Sequence, residues 1–357
     1  MTPPGPGRRE RLDPTVFRLP VAKIRQGYYS DAYFNHTLTV LARDRYHPQV
    51  VMQVFQRRRA VLGGIDEAIA LLKLGSRRWA GLTVRALYDG DEIEPWEPVL
   101  TIEGDYGLFA HLETVVLGAL TRRTRVATNV RRVVEAARGK PIIFFPARFD
   151  HHAVQTGDGW AAHVAGAIGV STDAQASWWG ARGIGTVPHA LIAAYGGDTV
   201  RAAVTFATHV DPDVQITVLV DFDNDCVGTA VAVARALGPR LWGVRLDTSQ
   251  HMVDRSMLPL MGEVPPGGVT PELCRMVRAA LDEAGHPSVQ IVASGGFTAD
   301  RIAAFEAAGV PVDAYGVGSA FFTGRFDFTA DIVRVDGRPC AKAGRHEHPS
   351  QRLEPVE

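Results

Sequence analysis

Short apolar runs that alternate with helix-length segments are the feature of this sequence that most restricts its fold. Seven such runs, rich in valine and isoleucine, follow residue 141, at 142–145, 167–170, 183–187, 216–222, 242–247, 289–294 and 312–318. Nearly continuous apolar strands are typical of parallel sheets that helices cover on both faces. Seven strand–helix units favour an α/β barrel, with an open, doubly wound sheet as the alternative.

Helical periodicity between these runs is clearest over residues 224–237, 270–285 and 298–309. The region before residue 141 has a different pattern, which predicts a separate α/β domain. Its predicted strands and helices are a strand at 50–56, a helix at 65–74, strands at 82–90 and 98–107, and a helix at 108–138.

The fold class predicted from these patterns is α/β, with an N-terminal α/β sandwich domain and an irregular seven-stranded α/β barrel. The last thirty residues alternate like a strand but are too few to fold alone, so we expect them to rejoin the first domain. The predicted divisions are a disordered tail (1–13), the sandwich with a linker helix (14–138), the catalytic barrel (139–324) and a returning C-terminal segment (325–357).

Composition excludes several classes of protein. The 38 basic and 39 acidic side chains leave a net charge of −1, which argues against a nucleic-acid binder. No run of about 18 uncharged apolar residues is present, and the N-terminus lacks the apolar core of a signal peptide. The three cysteines are far apart, which argues against a disulfide framework or a structural zinc site. We therefore expect a soluble, cytoplasmic protein without a membrane partner.

In an α/β barrel the reactive groups lie after the carboxyl ends of the strands. The last two predicted strands are followed by glycine-rich loops, whose backbone N–H groups can approach a phosphate. Tight turns between strand and helix are the alternative explanation for these glycines. The candidate phosphate-binding residues are Ser294, Gly295, Gly296, Gly316, Gly318 and Ser319.

Acidic residues follow two other predicted strands. Asp221 and Asp247 stand directly at the strand ends, where a carboxylate can hold Mg²⁺ through water or accept hydrogen bonds from a sugar. Asp223 and Asp225 are better explained as caps of the following helix. His189 begins a strand-to-helix turn, and its chemistry alone favours a structural role.

Together these segments resemble the nicotinate phosphoribosyltransferase family, a group of type II phosphoribosyltransferases. The resemblance extends from residue 28 to about residue 345. It is carried by YYSDAYFNHT (28–37), the Ser171-Thr172-Asp173 turn, GTVPHALI (185–192), LVDFDND (219–225), GVRLDTS (243–249), IVASGGFTADRI (291–302), YGVGSAFF (315–322) and DGRPCAKAGR (336–345).

The resemblance implies a homodimer or larger oligomer that joins nicotinate to 5-phosphoribosyl-1-diphosphate. The products are nicotinate mononucleotide and diphosphate, with Mg²⁺ as cofactor and ATP hydrolysis coupled to the reaction. It implies three catalytic residues, the phosphorylatable His189 together with Arg245 and Asp247, and metal contacts at Asp221 and Asp247. It implies that Tyr33 stacks on the pyridine ring across a subunit interface. The remaining substrate-binding positions are Arg148, Ser171, Asp173, Thr186 and the two glycine loops.

Two positions depart from the family pattern. Arg148 is followed by Phe149 where paired arginines are usual, and Asp173 is an acid of the kind found in nicotinamide-using relatives. Nicotinamide and quinolinate therefore remain alternative bases, and a non-catalytic metabolite-binding relative remains an alternative function. An aldolase or lyase would need a Schiff-base lysine at a strand end, and none of the four lysines stands there.

Overall fold

The computed structural model of the protein describes residues 10–263 and 265–357, so residues 1–9 of the predicted tail lie outside the described residues. Two compact units divide the chain. The first contains the described residues up to Asn129, Thr156–Ala165 and Phe322–Glu357, and the second contains Val130–Gln155 and Gly166–Phe321. The predicted domain boundaries stay predictions.

The strands are β1 (Gln49–Phe55), β2 (Ala60–Val61), β3 (Leu82–Ala86), β4 (Glu92–Ile93), β5 (Leu100–Asp105), β6 (Ile142–Phe144), β7 (Gly169–Val170), β8 (Ile216–Leu219), β9 (Leu241–Leu246), β10 (Gln290–Ala293), β11 (Ala314–Val317), β12 (Thr329–Val335), β13 (Arg338–Pro339) and β14 (Glu354–Pro355).

The α-helices are α1 (Val21–Arg25), α2 (Ala32–Asp44), α3 (Ile65–Gly75), α4 (Glu113–Ala136), α5 (Gln155–Val164), α6 (Asp173–Ala176), α7 (His189–Ala194), α8 (Thr199–His209), α9 (Cys226–Leu237), α10 (Pro271–Glu283) and α11 (Ala299–Ala307). None of the described helices is long and apolar enough to cross a membrane.

The first unit is built on an antiparallel sheet in the order β13-β12-β1-β5-β3-β14. Strand β5 buries Leu100, Ile102 and Gly104, so alternate residues point to the core, as its sequence pattern predicts. Strand β12 pairs with β1, with Val335 opposite Val50. The segment after the barrel strands therefore contributes a strand to the N-terminal sheet, and the predicted α/β sandwich is confirmed.

The second unit is a curled parallel sheet in the order β7-β6-β11-β10-β9-β8. The predicted strand at 183–187 is reduced to a single bridge, between Val187 and Val218 of β8. This segment still joins the two edges, because Ile184 N donates to Val170 O at 2.8 Å and Val187 N donates to Thr217 O at 2.8 Å. The predicted α/β class with a curled, barrel-like parallel sheet is confirmed, but the sheet has six strands, and the predicted strand at 183–187 is only a bridge. The bonds of this segment to both edge strands argue against the doubly wound alternative.

The predicted helices of the barrel are present, and each begins at a side-chain cap. Asp225 accepts from Gly228 N at the start of α9, as predicted. Thr270 and Thr298 cap α10 and α11 in the same way. These caps satisfy N–H groups that have no partner within the helix. They fix each helix directly after the loop that follows a strand.

Candidate functional site

His189 and Asp221 form the first pair at the carboxyl ends of the barrel strands. His189 is the first residue of α7, and its Nε2 lies 2.9 Å from Oδ1 of Asp221, which is buried after β8. This hydrogen bond and the negative charges of Asp221 and Asp247 raise the pKa of His189, while burial and Arg245 oppose the shift. Asp221, Arg245 and Asp247, which are far from His189 in sequence, therefore all influence the pKa of its imidazole.

Arg245, Asp247 and Ser294 form a second group, which joins the end of β9 to the end of β10. Arg245 Nε donates to Ser294 Oγ at 2.8 Å, and Ser294 Oγ donates to Asp247 Oδ1 at 2.6 Å. Arg245 Nη2 also lies 3.3 Å from Asp247 Oδ1. Ser294 is 1% exposed. Since a buried serine fixes both charged groups, their orientation is set before any substrate binds.

Phe145 is a residue of this site that sequence reasoning missed. The Arg245 guanidinium lies 4.7 Å from the centre of its ring. A Cβ at Gly316 would lie 2.5 Å from Phe145 Cε2, so the ring fills the space beside that glycine. Gly316 thus has a packing reason to be glycine. The sequence offered one indication of this role, because Phe145 is the last residue of the apolar run at 142–145 and so stands at a strand end.

The loop after β10 has the conformation that only glycine adopts readily. Gly295 and Gly296 have φ angles of +86° and +71°. Arg301, also missed, donates from Nη1 to Gly295 O at 2.8 Å and from Nη2 to Val269 O at 2.6 Å. The loop leads into α11, whose N-terminus carries a partial positive charge. This geometry is suited to a phosphate group.

The turn after β7 is held mostly by its own side chains. Ser171 Oγ donates to Gln175 Oε1 at 3.1 Å, and Thr172 caps α6. Asp173 Oδ1 accepts from Gly183 N at 2.9 Å, so this carboxylate anchors the start of the segment at 183–187. Nothing in these contacts requires a bound base.

The other predicted substrate-binding residues follow the barrel strands but do not join the hydrogen-bonded groups described above. Arg148 is exposed after β6 and makes no ion pair or hydrogen bond with another described residue. Thr186 is half-buried beside the bridge at Val187, and Ser319 is exposed after β11. Gly318 lies against the Phe149 ring.

Tyr33 belongs to the first unit, on α2, where its side chain is 59% exposed. Its hydroxyl donates to Asp31 Oδ2 at 3.3 Å, and its ring centre lies 4.4 Å from that of Phe34. An exposed aromatic ring held from one side is available for stacking. Its role on the pyridine ring stays a prediction.

Asp221 and Asp247 have the donor chemistry that Mg²⁺ prefers, and Oδ1 of each is already engaged within the protein. Among residues 10–263 and 265–357, no group of three His, Cys, Asp or Glu side chains could hold a metal ion. These carboxylates fit a Mg²⁺ ion that keeps waters and takes its other ligands from substrate phosphates.

Residues 31–124 match the family model for the N-terminal domain of quinolinate phosphoribosyl transferase. The chain is 34% identical over 276 residues to nicotinate phosphoribosyltransferase pncB1 of Mycobacterium tuberculosis, covering 74% of this chain and 57% of the relative. It is 30% identical over 263 residues to pncB2 of the same organism, covering 71% and 52%. The chain thus spans between half and three-fifths of the length of these relatives.

A solved structure, nicotinate-nucleotide pyrophosphorylase from Pyrococcus furiosus, aligns with a TM-score of 0.79 and 33% identity. The alignment covers 94% of this chain and 84% of that one. Human nicotinic acid phosphoribosyltransferase aligns with a TM-score of 0.65 at 17% identity, covering 87% and 75%, and this likeness concerns the fold alone.

Proposed function

Since the chain belongs to the nicotinate phosphoribosyltransferase family, a group of type II phosphoribosyltransferases, we propose that it transfers the phosphoribosyl group of 5-phosphoribosyl-1-diphosphate to nicotinate. The pyridine nitrogen forms a bond to the anomeric carbon as the bond to diphosphate breaks. The products are nicotinate mononucleotide, a precursor of NAD, and diphosphate. We further propose a cytoplasmic homodimer or larger oligomer.

The observation that supports this proposal best is the group formed by Arg245, Ser294 and Asp247. Asp247 keeps a second carboxylate oxygen for the ribose hydroxyls, and Arg245 offers positive charge to the phosphates. The glycine loops after β10 and β11 are the proposed site of the 5′-phosphate. Because these groups are already held in place, they can stabilise the charge that develops in the transition state without having to move.

The proposed reaction requires few further catalytic groups. Loss of diphosphate leaves an oxocarbenium-like sugar, and the pyridine nitrogen is already a nucleophile, so no general base is needed. Asp221 and Asp247 are the residues that would hold Mg²⁺. When bound, Mg²⁺ neutralises the charge of the leaving diphosphate. The protein's main task is to align the nitrogen with the anomeric carbon.

His189 is the proposed site of ATP coupling. Asp221 engages its Nε2, which leaves Nδ1 to attack the γ-phosphoryl group of ATP. ADP leaves, the imidazole carries the phosphoryl group, and water later releases orthophosphate. Asp221 stabilises the positive ring that forms at each transfer.

The alternatives differ in the base. Asp173 would favour the amide of nicotinamide if its carboxylate reached the base, but its Oδ1 already accepts from Gly183 N. Quinolinate, which carries two carboxylates, calls for a denser basic pocket than Arg148 provides. A non-catalytic relative would retain the phosphate loops without turnover.

The test is a product assay by mass spectrometry. The protein is incubated with phosphoribosyl diphosphate, Mg²⁺ and either nicotinate, nicotinamide or quinolinate, with and without ATP. We expect nicotinate mononucleotide from nicotinate, with more product and formation of ADP when ATP is present. Product from nicotinamide or quinolinate alone would overturn the assignment of the base. Tight binding of phosphoribosyl diphosphate without any product would support the non-catalytic alternative.

A further inference from the structure

We propose that Phe149 and Arg148 together restrict the acceptor to an aromatic ring with a single carboxylate, so that Phe149 is the residue that rejects pyridine dicarboxylates. This inference rests on the proposed function, because it concerns the base that receives the phosphoribosyl group. Phe149 stands at the position where the family pattern has the second of two paired arginines.

The position of Phe149 is fixed on one side and open on the other. Its side chain is 52% exposed after β6. A Cβ at Gly318 would lie 2.6 Å from Phe149 Cε2, so the ring rests directly on the loop after β11. The exposed part of the ring is an apolar surface among the polar groups that follow the other strands. Such a surface suits a planar aromatic ligand.

Hydrogen bonds hold the turn that carries Phe149 in place. Phe145 N donates to Val317 O at 2.8 Å, which joins the end of β6 to the end of β11. Gln155 Nε2 donates to Ala147 O at 3.3 Å, and Gln155 Oε1 accepts from Thr172 Oγ1 at 3.1 Å. The turn is thus tied to both neighbouring strand ends. A ring on such a support can exclude a misfitting ligand.

Arg148 supplies one free positive charge beside this ring. It is exposed and has no acidic partner among the described residues. A guanidinium binds one carboxylate through two parallel hydrogen bonds. The turn therefore provides one permanent cation.

This arrangement discriminates by charge. A single carboxylate can pair with Arg148 while the ring of the base lies along Phe149. A second carboxylate on that base would meet the phenyl ring, where it would lose hydration without gaining a partner. The cost of an unpaired buried charged group corresponds to a loss of about 100-fold or more in kcat/KM.

The experiment compares kcat/KM for nicotinate and quinolinate in the wild-type protein and in Phe149→Arg and Phe149→Leu. Ile168→Arg is the matched control, because Ile168 is 67% exposed and precedes β7, at the opposite ends of the strands. Melting temperatures verify that each variant folds. We expect the wild-type protein to prefer nicotinate by about 100-fold or more.

Phe149→Arg should reduce that preference by about 10-fold or more through faster use of quinolinate, since a second carboxylate gains a partner. Phe149→Leu and Ile168→Arg should retain it. The proposal is overturned if folded Phe149→Arg keeps the wild-type preference, or if Ile168→Arg changes it equally. If no base yields product, the proposed function fails. In that case the dissociation constants of nicotinate and quinolinate, measured by calorimetry, test the role of Phe149. The ratio of the two constants should change in Phe149→Arg and stay unchanged in Phe149→Leu and Ile168→Arg.

Discussion

His189 and Asp221 are joined by a hydrogen bond of 2.9 Å between Nε2 and Oδ1, although 32 positions separate them in sequence. The side chain of His189 is 41% exposed and that of Asp221 is 6% exposed. A buried carboxylate therefore orients a partly open imidazole. The other ring nitrogen, Nδ1, is the one that attacks the phosphoryl donor in the proposed function.

Replacing His189 by Asn should abolish the stimulation by ATP while leaving slow synthesis without ATP. The amide cannot accept a phosphoryl group, whereas the groups around Arg245 remain intact. Initial rates with and without ATP provide the measurement. His209→Asn, at the exposed end of α8, is the control. Stimulation that survives in His189→Asn would show that the phosphohistidine role is wrong.

Ser294→Ala should raise the KM for phosphoribosyl diphosphate by about 10-fold or more, with little change in the KM for the base. The substitution removes the hydroxyl that joins Arg245 to Asp247, and hydrogen bonds to charged groups contribute about 1.5–3 kcal/mol. Steady-state kinetics with each substrate varied give the comparison, and exposed Ser288→Ala serves as the control. Equal changes in both KM values would contradict this account.

Tyr33→Ala should raise the KM for the base by about 3- to 10-fold, which corresponds to the loss of one aromatic stacking contact. The KM for phosphoribosyl diphosphate should change much less. Tyr33→Phe keeps the ring and should behave like the wild-type protein. If Tyr33→Ala affects both substrates equally, the ring does not recognise the base.

Glu113 should make the stability of the protein depend on pH. Burial, together with the negative charges of Asp331 and Asp31, raises its pKa to about 7. Tyr33 and Tyr106 also lie within electrostatic range of this region, and Arg345 lies 3.2 Å from Asp331. Because the folded carboxyl group holds a proton that the unfolded one releases, this group lowers the free energy of unfolding as pH rises from about 4.5 to 7.

Glu113→Gln should therefore raise the melting temperature at pH 8 and change it little at pH 4.5. After allowance for solvent screening, the gain is about 1 kcal/mol, or roughly 1–2 °C for a chain of this length. Thermal unfolding across this pH range is the measurement, with exposed Glu135→Gln as the control. Asp89, whose pKa burial and Asp66 also raise to about 7, retains part of the slope in every variant. An unchanged slope in Glu113→Gln would contradict the assignment.

Periodicity was sufficient to predict most of the fold. Strands β8 and β10 consist mostly of apolar residues and are buried along nearly their whole length. The α10 sequence places Leu273, Val277 and Leu281 on one buried face. The segment at 183–187 forms only a bridge, because Gly183 and Gly185 interrupt it and Pro188 ends it. A Cβ at Gly183 would lie 2.7 Å from the Thr172 backbone. No local pattern reveals such an approach.

The candidate site was predictable where chemistry follows a strand end directly. Asp247 and Ser294 were found in this way, whereas Arg245 followed from the family resemblance, and the structure brings the three together. Phe145 and Gln155 were missed, because their roles depend on partners from other strands. A sequence pattern indicates which residues end the strands, whereas tertiary packing determines which side chains meet between them.

The stoichiometry of the reaction tests the proposed phosphoribosyl transfer directly. Nicotinate, phosphoribosyl diphosphate and Mg²⁺ are incubated with the protein, and nicotinate mononucleotide and diphosphate are quantified together. The two products should form in equal amounts, and Asp247→Asn should reduce both by about 100-fold or more. Release of diphosphate without the mononucleotide, or the absence of both products, would contradict the proposed transfer.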